Sequence, residues 1–141
     1  MKKIVWLILL LFILAPRELS ASEEGYTSKI GWASQYAESP TIGTLNYRLQ
    51  KGELTQGDLD YANTFVAVPG CERIGERGRL RIKGGEWLNY VVFDCAGPHP
   101  DPSRAWMENN NILVELDYWT VERLDLVCRC GLGIEVVVLS E

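Results

Sequence analysis

The chain has 141 residues, with 14 basic against 19 acidic side chains and a formal net charge of −5. That balance argues against a general nucleic-acid binder, which needs a basic footprint. The single histidine, His99, excludes a His-rich metal site, and no P-loop, dinucleotide fingerprint or zinc motif calls for a cofactor.

Lys2 and Lys3 precede an unbroken apolar run over residues 4–15 and a polar stretch over 16–22. The run is shorter than the roughly 20 residues a membrane span needs, so it predicts a signal peptide, with an uncleaved anchor as the rival reading. Ser20-Ala21-Ser22 offers a small-x-small cleavage site after Ser22. Losing Lys2, Lys3, Arg17 and Glu18 with that segment leaves 11 basic and 18 acidic residues, net −7. The remaining length of about 119 residues suits one domain, expected as a monomer in the periplasm or the medium, with no stable membrane span.

Residues 23–30 are polar and read as a loose lead-in to a domain over 31–141. Residues 31–36 (GWASQY) predict a first strand, and 44–51 a helix inside a stretch punctuated by Pro40, Gly43, Gly52 and Gly57. Residues 64–68 predict a short strand ended by Pro69-Gly70. Residues 79–83 alternate strictly between basic and apolar side chains, and Gly84-Gly85 turns into a second long strand over 87–95, so the two form a hairpin. Residues 97–102 (GPHPDP) cannot be regular structure, and Asp101-Pro102 supplies an N-cap and a first-turn proline for a short helix. Residues 112–116 predict a strand, Asp117 a cap for a helix through Arg123, and the β-branched run 134–139 a strand buried on both faces. Six short strands with little helix point to a small, mainly β barrel with short helices.

Four cysteines in an exported chain favour disulfides, and three connectivities are open. A Cys128–Cys130 bridge closes a strained small ring, whereas Cys71–Cys95 closes a loop of about 25 residues, worth roughly 3 to 4 kcal/mol. Spacing favours Cys71–Cys95.

The most informative stretch is 90–98, YVVFDCAGP. Strand alternation puts Val91, Phe93 and Cys95 on one face, expected to be the core, and Tyr90, Val92 and Asp94 on the other. A carboxylate at the end of an apolar strand is partly desolvated, which suits a general acid. The plainer reading is that Asp94 caps the following turn.

Several motifs follow one another in an order that carries a resemblance. Gly31, Ala33, Ser34 and Tyr36 match a G-x-A-S-x-Y pattern; Asp94, Gly97 and Pro98 match D-x-G-P with one extra residue; residues 114–117 (VELD) match an I-D-L-S segment. The chain thereby resembles the double-psi β-barrel group, which includes lytic transglycosylases of the rare-lipoprotein-A type, barwin and the expansins. It looks most like exported bacterial members with a cysteine before an I-G segment and another after the aspartate, which supports Cys71–Cys95. Residues 65–68 (FVAV) stand where transglycosylase-like members carry A-A-H, so the barwin-type histidine is absent.

The resemblance implies a six-stranded double-psi barrel with Asp94 at the catalytic position in an open groove. It also implies peptidoglycan or another wall polysaccharide as the partner. A lytic transglycosylase needs one acid/base, whereas hydrolysis calls for a second carboxylate about 5 to 9.5 Å away, a role open to Glu115, Asp117 and Asp60. Tyr36, Tyr90 and Trp106 are the aromatic residues expected to stack on sugar rings, Tyr90 because it shares a face with Asp94. Arg79, Arg81 and Lys83 read as a solvated outer face or as a patch for acidic wall polymers. The expected function is contact with a peptidoglycan glycan strand, either cutting it by lytic transglycosylation with Asp94 as acid/base or gripping it; the alternatives are a non-catalytic carbohydrate-binding module and a protein-interaction module.

Overall fold

The computed structural model describes residues 27–36, 38–82, 84–126 and 134–140. Six strands close into a barrel: β1 (Thr27–Gln35), β2 (Thr64–Pro69), β3 (Arg77–Ile82), β4 (Trp87–Ala96), β5 (Ile112–Leu116) and β6 (Ile134–Ser140). Around the barrel the order is β1-β5-β2-β4-β3-β6. Two of the pairings are parallel, β1 with β5 and β2 with β4, and the other four are antiparallel. The mainly β barrel with short helices expected from the sequence is therefore present. Among the described residues four α-helices decorate it: α1 (Glu38–Gln50), α2 (Gln56–Tyr61), α3 (Pro102–Asn109) and α4 (Tyr118–Arg123).

The expected strands and caps have clear local causes. The alternating Arg79-Leu80-Arg81-Ile82 run turns Leu80 and Ile82 inward, and Gly84, at φ 73°, supplies the left-handed turn into β4. Asp101 accepts hydrogen bonds from the Ser103 and Arg104 amides at 2.7 and 3.1 Å, with Pro102 opening α3. Asp117 is the N-cap of α4; its carboxylate also takes the Thr120 hydroxyl at 2.7 Å and the Phe65 amide at 2.8 Å. On β6, Val136 and Val138 fill the interior, while Val137 and Leu139 are only half-covered.

Three elements differ from the expectation. Thr27–Ile30 are not a lead-in but the first half of β1, paired with β6 from Thr27 opposite Ser140 to Ile30 opposite Val137. Their polar side chains face solvent, which hides the strand from a hydropathy reading. Helix α1 runs through Pro40 and Gly43; Pro40 lies in the first turn, where its missing N–H breaks no helical bond. Helix α2 begins at a capping box in which Thr55 and Asp58 satisfy each other's amides.

Apolar burial is divided between two clusters. Val66, Val68, Leu80, Tyr90, Val92, Val114, Leu116 and Val138 fill the barrel. Leu45, Leu54, Ala67, Val91 and Phe93 form a second cluster outside it, beneath α1. Both faces of β4 are thus buried, not only the Val91–Phe93 face. Gly78 is required opposite Tyr90, because a Cβ there would lie 2.7 Å from the Tyr90 ring. The expected Cys71–Cys95 disulfide is formed, tying the end of β4 to the short turn after β2. Cys128, Cys130 and Lys83 lie outside the described residues.

Candidate functional site

Asp94 reaches the outer face of the barrel through a break in strand register. Val66 pairs with Val92 and the next residue, Ala67, pairs with Asp94, so Phe93 is an extra residue on β4. Such a bulge re-aims the side chain that follows it. Strict alternation would send Asp94 inward with Tyr90 and Val92; the bulge places it outward beside Phe93.

Glu115 reaches the same face by ordinary alternation, since Val114 and Leu116 point into the barrel. It also pairs with Ala67, from the other side of β2. Asp94 and Glu115 therefore flank one small residue, two inter-strand spacings apart, which sets their Cα atoms at roughly 10 Å. Ala67 is almost fully buried and floors the space between them. The cleft measures about 220 Å³ and is also lined by Tyr36, Gly97, Asp101 and Ser103.

Asp94 is held from both sides. The Tyr36 hydroxyl donates to Oδ2 at 2.6 Å, and Arg48 Nη2 on α1 donates to Oδ1 at 3.1 Å. Arg48 also pairs through Nη1 with Glu53 at 2.7 Å, lies 5.5 Å over the Tyr47 ring, and passes 3.9 Å from Cys95 Sγ. Burial alone would lower the Arg48 pKa, but its hydrogen bonds to Glu53 and Asp94 hold it above the ordinary value. The Tyr36 phenol is pushed up to about 12, first by burial and then by its bond to Asp94, so it stays a proton donor. Its ring packs edge-on against Phe93 with centroids 5.1 Å apart.

Glu115 is in a different environment. Its main partner is Ser34, whose hydroxyl donates to Oε1 at 3.2 Å. Burial raises its pKa and the nearby Asp94 charge raises it further, against a lowering from Ser34. Two carboxyls in one cleft whose surroundings differ in this way suit an acid paired with a fixed anion.

The cleft continues along α3. A neighbouring hollow of about 320 Å³ shares Ser103 and Glu115 with it and is lined beyond them by Pro102, Trp106 and Met107. Trp106 is 45% exposed there, an apolar face in the hollow that Glu115 also lines.

The residues singled out from the sequence divide as follows. Tyr36 and Asp94 line the cleft, and Trp106 lines the neighbouring hollow that shares Ser103 and Glu115 with it. Tyr90 does not join them: it is 0% exposed inside the barrel, because the bulge between it and Asp94 breaks the face they were expected to share. Asp117 is buried as a helix cap, and Asp60 accepts from Gln56 along α2 at 2.9 Å, so of the three candidate second carboxylates only Glu115 lines the cleft. Arg79 and Arg81 stack on Trp87 at 5.2 and 4.8 Å, away from it. His99 sits 3.1 Å from Glu108 at the surface. Sequence reasoning missed Arg48 and the flooring role of Ala67. Among the described residues no helix is long and apolar enough to cross a membrane.

No family model matches the chain, and no curated protein or solved structure matches it either.

Proposed function

We propose that this cleft grips a peptidoglycan glycan strand and cuts it by lytic transglycosylation, in a protein exported to the periplasm or the cell surface. The observation that carries the proposal is the pair of carboxyls on either side of Ala67, one ion-paired and one desolvated. The two parallel strand pairs fit the double-psi arrangement of the wall-active barrels that the sequence resembles.

The sequence reading gives the acid/base role to Asp94. The geometry favours Glu115 for it, because both Asp94 oxygens already accept from Tyr36 and Arg48. Glu115, whose pKa burial raises, donates its proton to the glycosidic oxygen as the C1–O bond breaks. The glycosyl centre gains positive charge, which the Asp94 carboxylate faces and stabilises. The sugar's own C6 oxygen then bonds to C1, and its hydroxyl proton passes to Glu115, restoring the acid. The product is a 1,6-anhydro sugar, and no water is consumed. Trp106 offers a stacking face for a neighbouring sugar ring.

The test is digestion of purified sacculi, read by mass spectrometry, with Glu115→Gln and Asp94→Asn alongside. Anhydro-muropeptides released by the wild type and reduced at least a hundredfold in both variants are expected, in the range of a lost acid/base. A protein that sediments with sacculi yet releases nothing is a carbohydrate-binding module, the reading that the exposed Trp106 alone would favour. Neither release nor sedimentation removes the glycan from the account and leaves a protein-interaction module.

A further inference from the structure

The cleft does not end at Trp106. Met107, on the next turn face of α3, also lines a hollow of about 400 Å³ formed with β1, β5 and β6 and the turn after β2. Its floor is apolar: Met107, Ile112 and Val138 are all at least nine-tenths buried. Its rim is charged with both signs. Lys29 on β1 and Glu72 in the turn are exposed there, beside Arg73. Arg73 is committed to Glu76, with Nε 2.7 Å from its carboxylate, and Glu108 to Arg104 at 2.8 Å. Among the described residues Lys29 and Glu72 have no such side-chain partner.

An apolar floor under one cation and one anion suits a ligand that is itself apolar in the middle and carries both charges. The sugar rings of a glycan strand are uncharged, and its lactyl carboxyl, free only where the stem is missing, could answer Lys29 but leaves Glu72 without a partner. The short peptides that branch from peptidoglycan fit: they carry methyl-bearing residues, free carboxylates and an amine. We infer that this hollow is a subsite for the peptide stem, with a carboxylate directed to Lys29 and the amine to Glu72. The inference rests on the glycan reading of the cleft and extends it to a substrate class, peptide-bearing strands rather than bare glycan.

The inference is tested in two arms. In the first, the purified protein is bound to intact sacculi and to sacculi stripped of stems by an amidase. Intact wall should bind about fivefold more tightly, the worth of one exposed ion pair. Glu72→Lys should erase that difference without weakening binding to stripped glycan, and Lys29→Glu should weaken binding to intact wall, with thermal melting to show that both variants fold. In the second, a synthetic L-alanyl-γ-D-glutamyl-diaminopimelic acid tripeptide is titrated into labelled protein and followed by amide NMR. Shifts centred on Ile112 and Leu113 support the subsite. Equal binding to both walls, or a titration that leaves those amides unmoved, overturns it while the glycan reading stands. Failure to bind either wall overturns the glycan reading, and the tripeptide arm then decides on the subsite alone.

Discussion

Arg48 bonds Asp94, and Asp94 shares a cleft with Glu115, so removing the cation and removing the anion should move Glu115 in opposite directions. Glu115 titrates above the ordinary carboxylate range because burial, then the Asp94 charge, disfavours its anion. Asp94→Asn deletes the like charge and should lower the Glu115 midpoint. Arg48→Met deletes the only cation bonded to Asp94 among the described residues and makes the cleft more negative, so the higher carboxyl step should rise. Two unit charges roughly 8 to 10 Å apart at an effective dielectric of about 20 interact by about 2 kcal/mol. That corresponds to about one and a half pKa units, which the solvent in an open cleft reduces to about half a unit to one unit. Arg48→Lys keeps the charge and should leave the step near the wild-type value. The assay is a pH titration of the glutamate side-chain carboxyl carbons by NMR, with Glu115→Gln to assign the signal. It needs no substrate. If both variants moved the step the same way, or neither moved it, while the protein stayed folded, the electrostatic account of the cleft would be refuted.

Three further outcomes follow from the same structure. Because the folded-state pKa of Glu115 is raised, the unfolded chain loses its proton first, and stability falls as pH rises from the ordinary glutamate range through the folded value. Glu115→Gln should therefore stabilise the protein at pH 7 and lose that advantage as pH falls below the ordinary glutamate range, as read by thermal melting at both values. Asp117→Ala removes the acceptor for the Phe65 and Thr120 amides and the Thr120 hydroxyl, and should destabilise by about 2 to 3 kcal/mol in a denaturant titration. If the folded variant also lost wall cleavage, Asp117 would be more than a cap. Replacing Cys71 and Cys95 together with serine should lower stability by about 3 kcal/mol at an unchanged fold, measured by denaturant midpoint and circular dichroism.

The barrel was legible because its signals are local. The alternation over Arg79-Leu80-Arg81-Ile82, the β-branched run of β6, the Gly84 turn and the Asp101-Pro102 and Asp117 caps each act within a few residues. Helix α2 carried a local signal too, the Thr55 to Asp58 capping box, which the surrounding glycines masked. The first half of β1 gave none, since Thr27, Ser28 and Lys29 are polar and their strand character comes from pairing with β6. Nor did Arg48 signal its role, because its approach to Asp94 depends on how α1 lies across the outer cluster. Ala67 offered a faint hint, a small residue between Val66 and Val68 where a sheet filling both faces would favour a larger one.

The one misassigned face of β4 has a single cause, and that cause also accounts for the cleft. With unbroken alternation Asp94 would follow Tyr90 and Val92 into the barrel, among Val66, Leu116 and Val138. An unpaired carboxylate there would cost several kcal/mol or be forced neutral. The extra residue Phe93 turns Asp94 out and at the same time lends its own ring to the outer cluster, where Tyr36 packs against it. Tyr36 is thus placed by Phe93 and bonded to the residue after it. The bulge therefore supplies both the anion and part of its support. The energy for keeping two carboxyls on one face comes from Val91, Phe93, Leu45 and Leu54 buried beneath α1, which also delivers Arg48. A substitution that shrank Phe93 should accordingly disturb Asp94 through Tyr36 before it disturbed the barrel, whose interior cluster does not include Phe93.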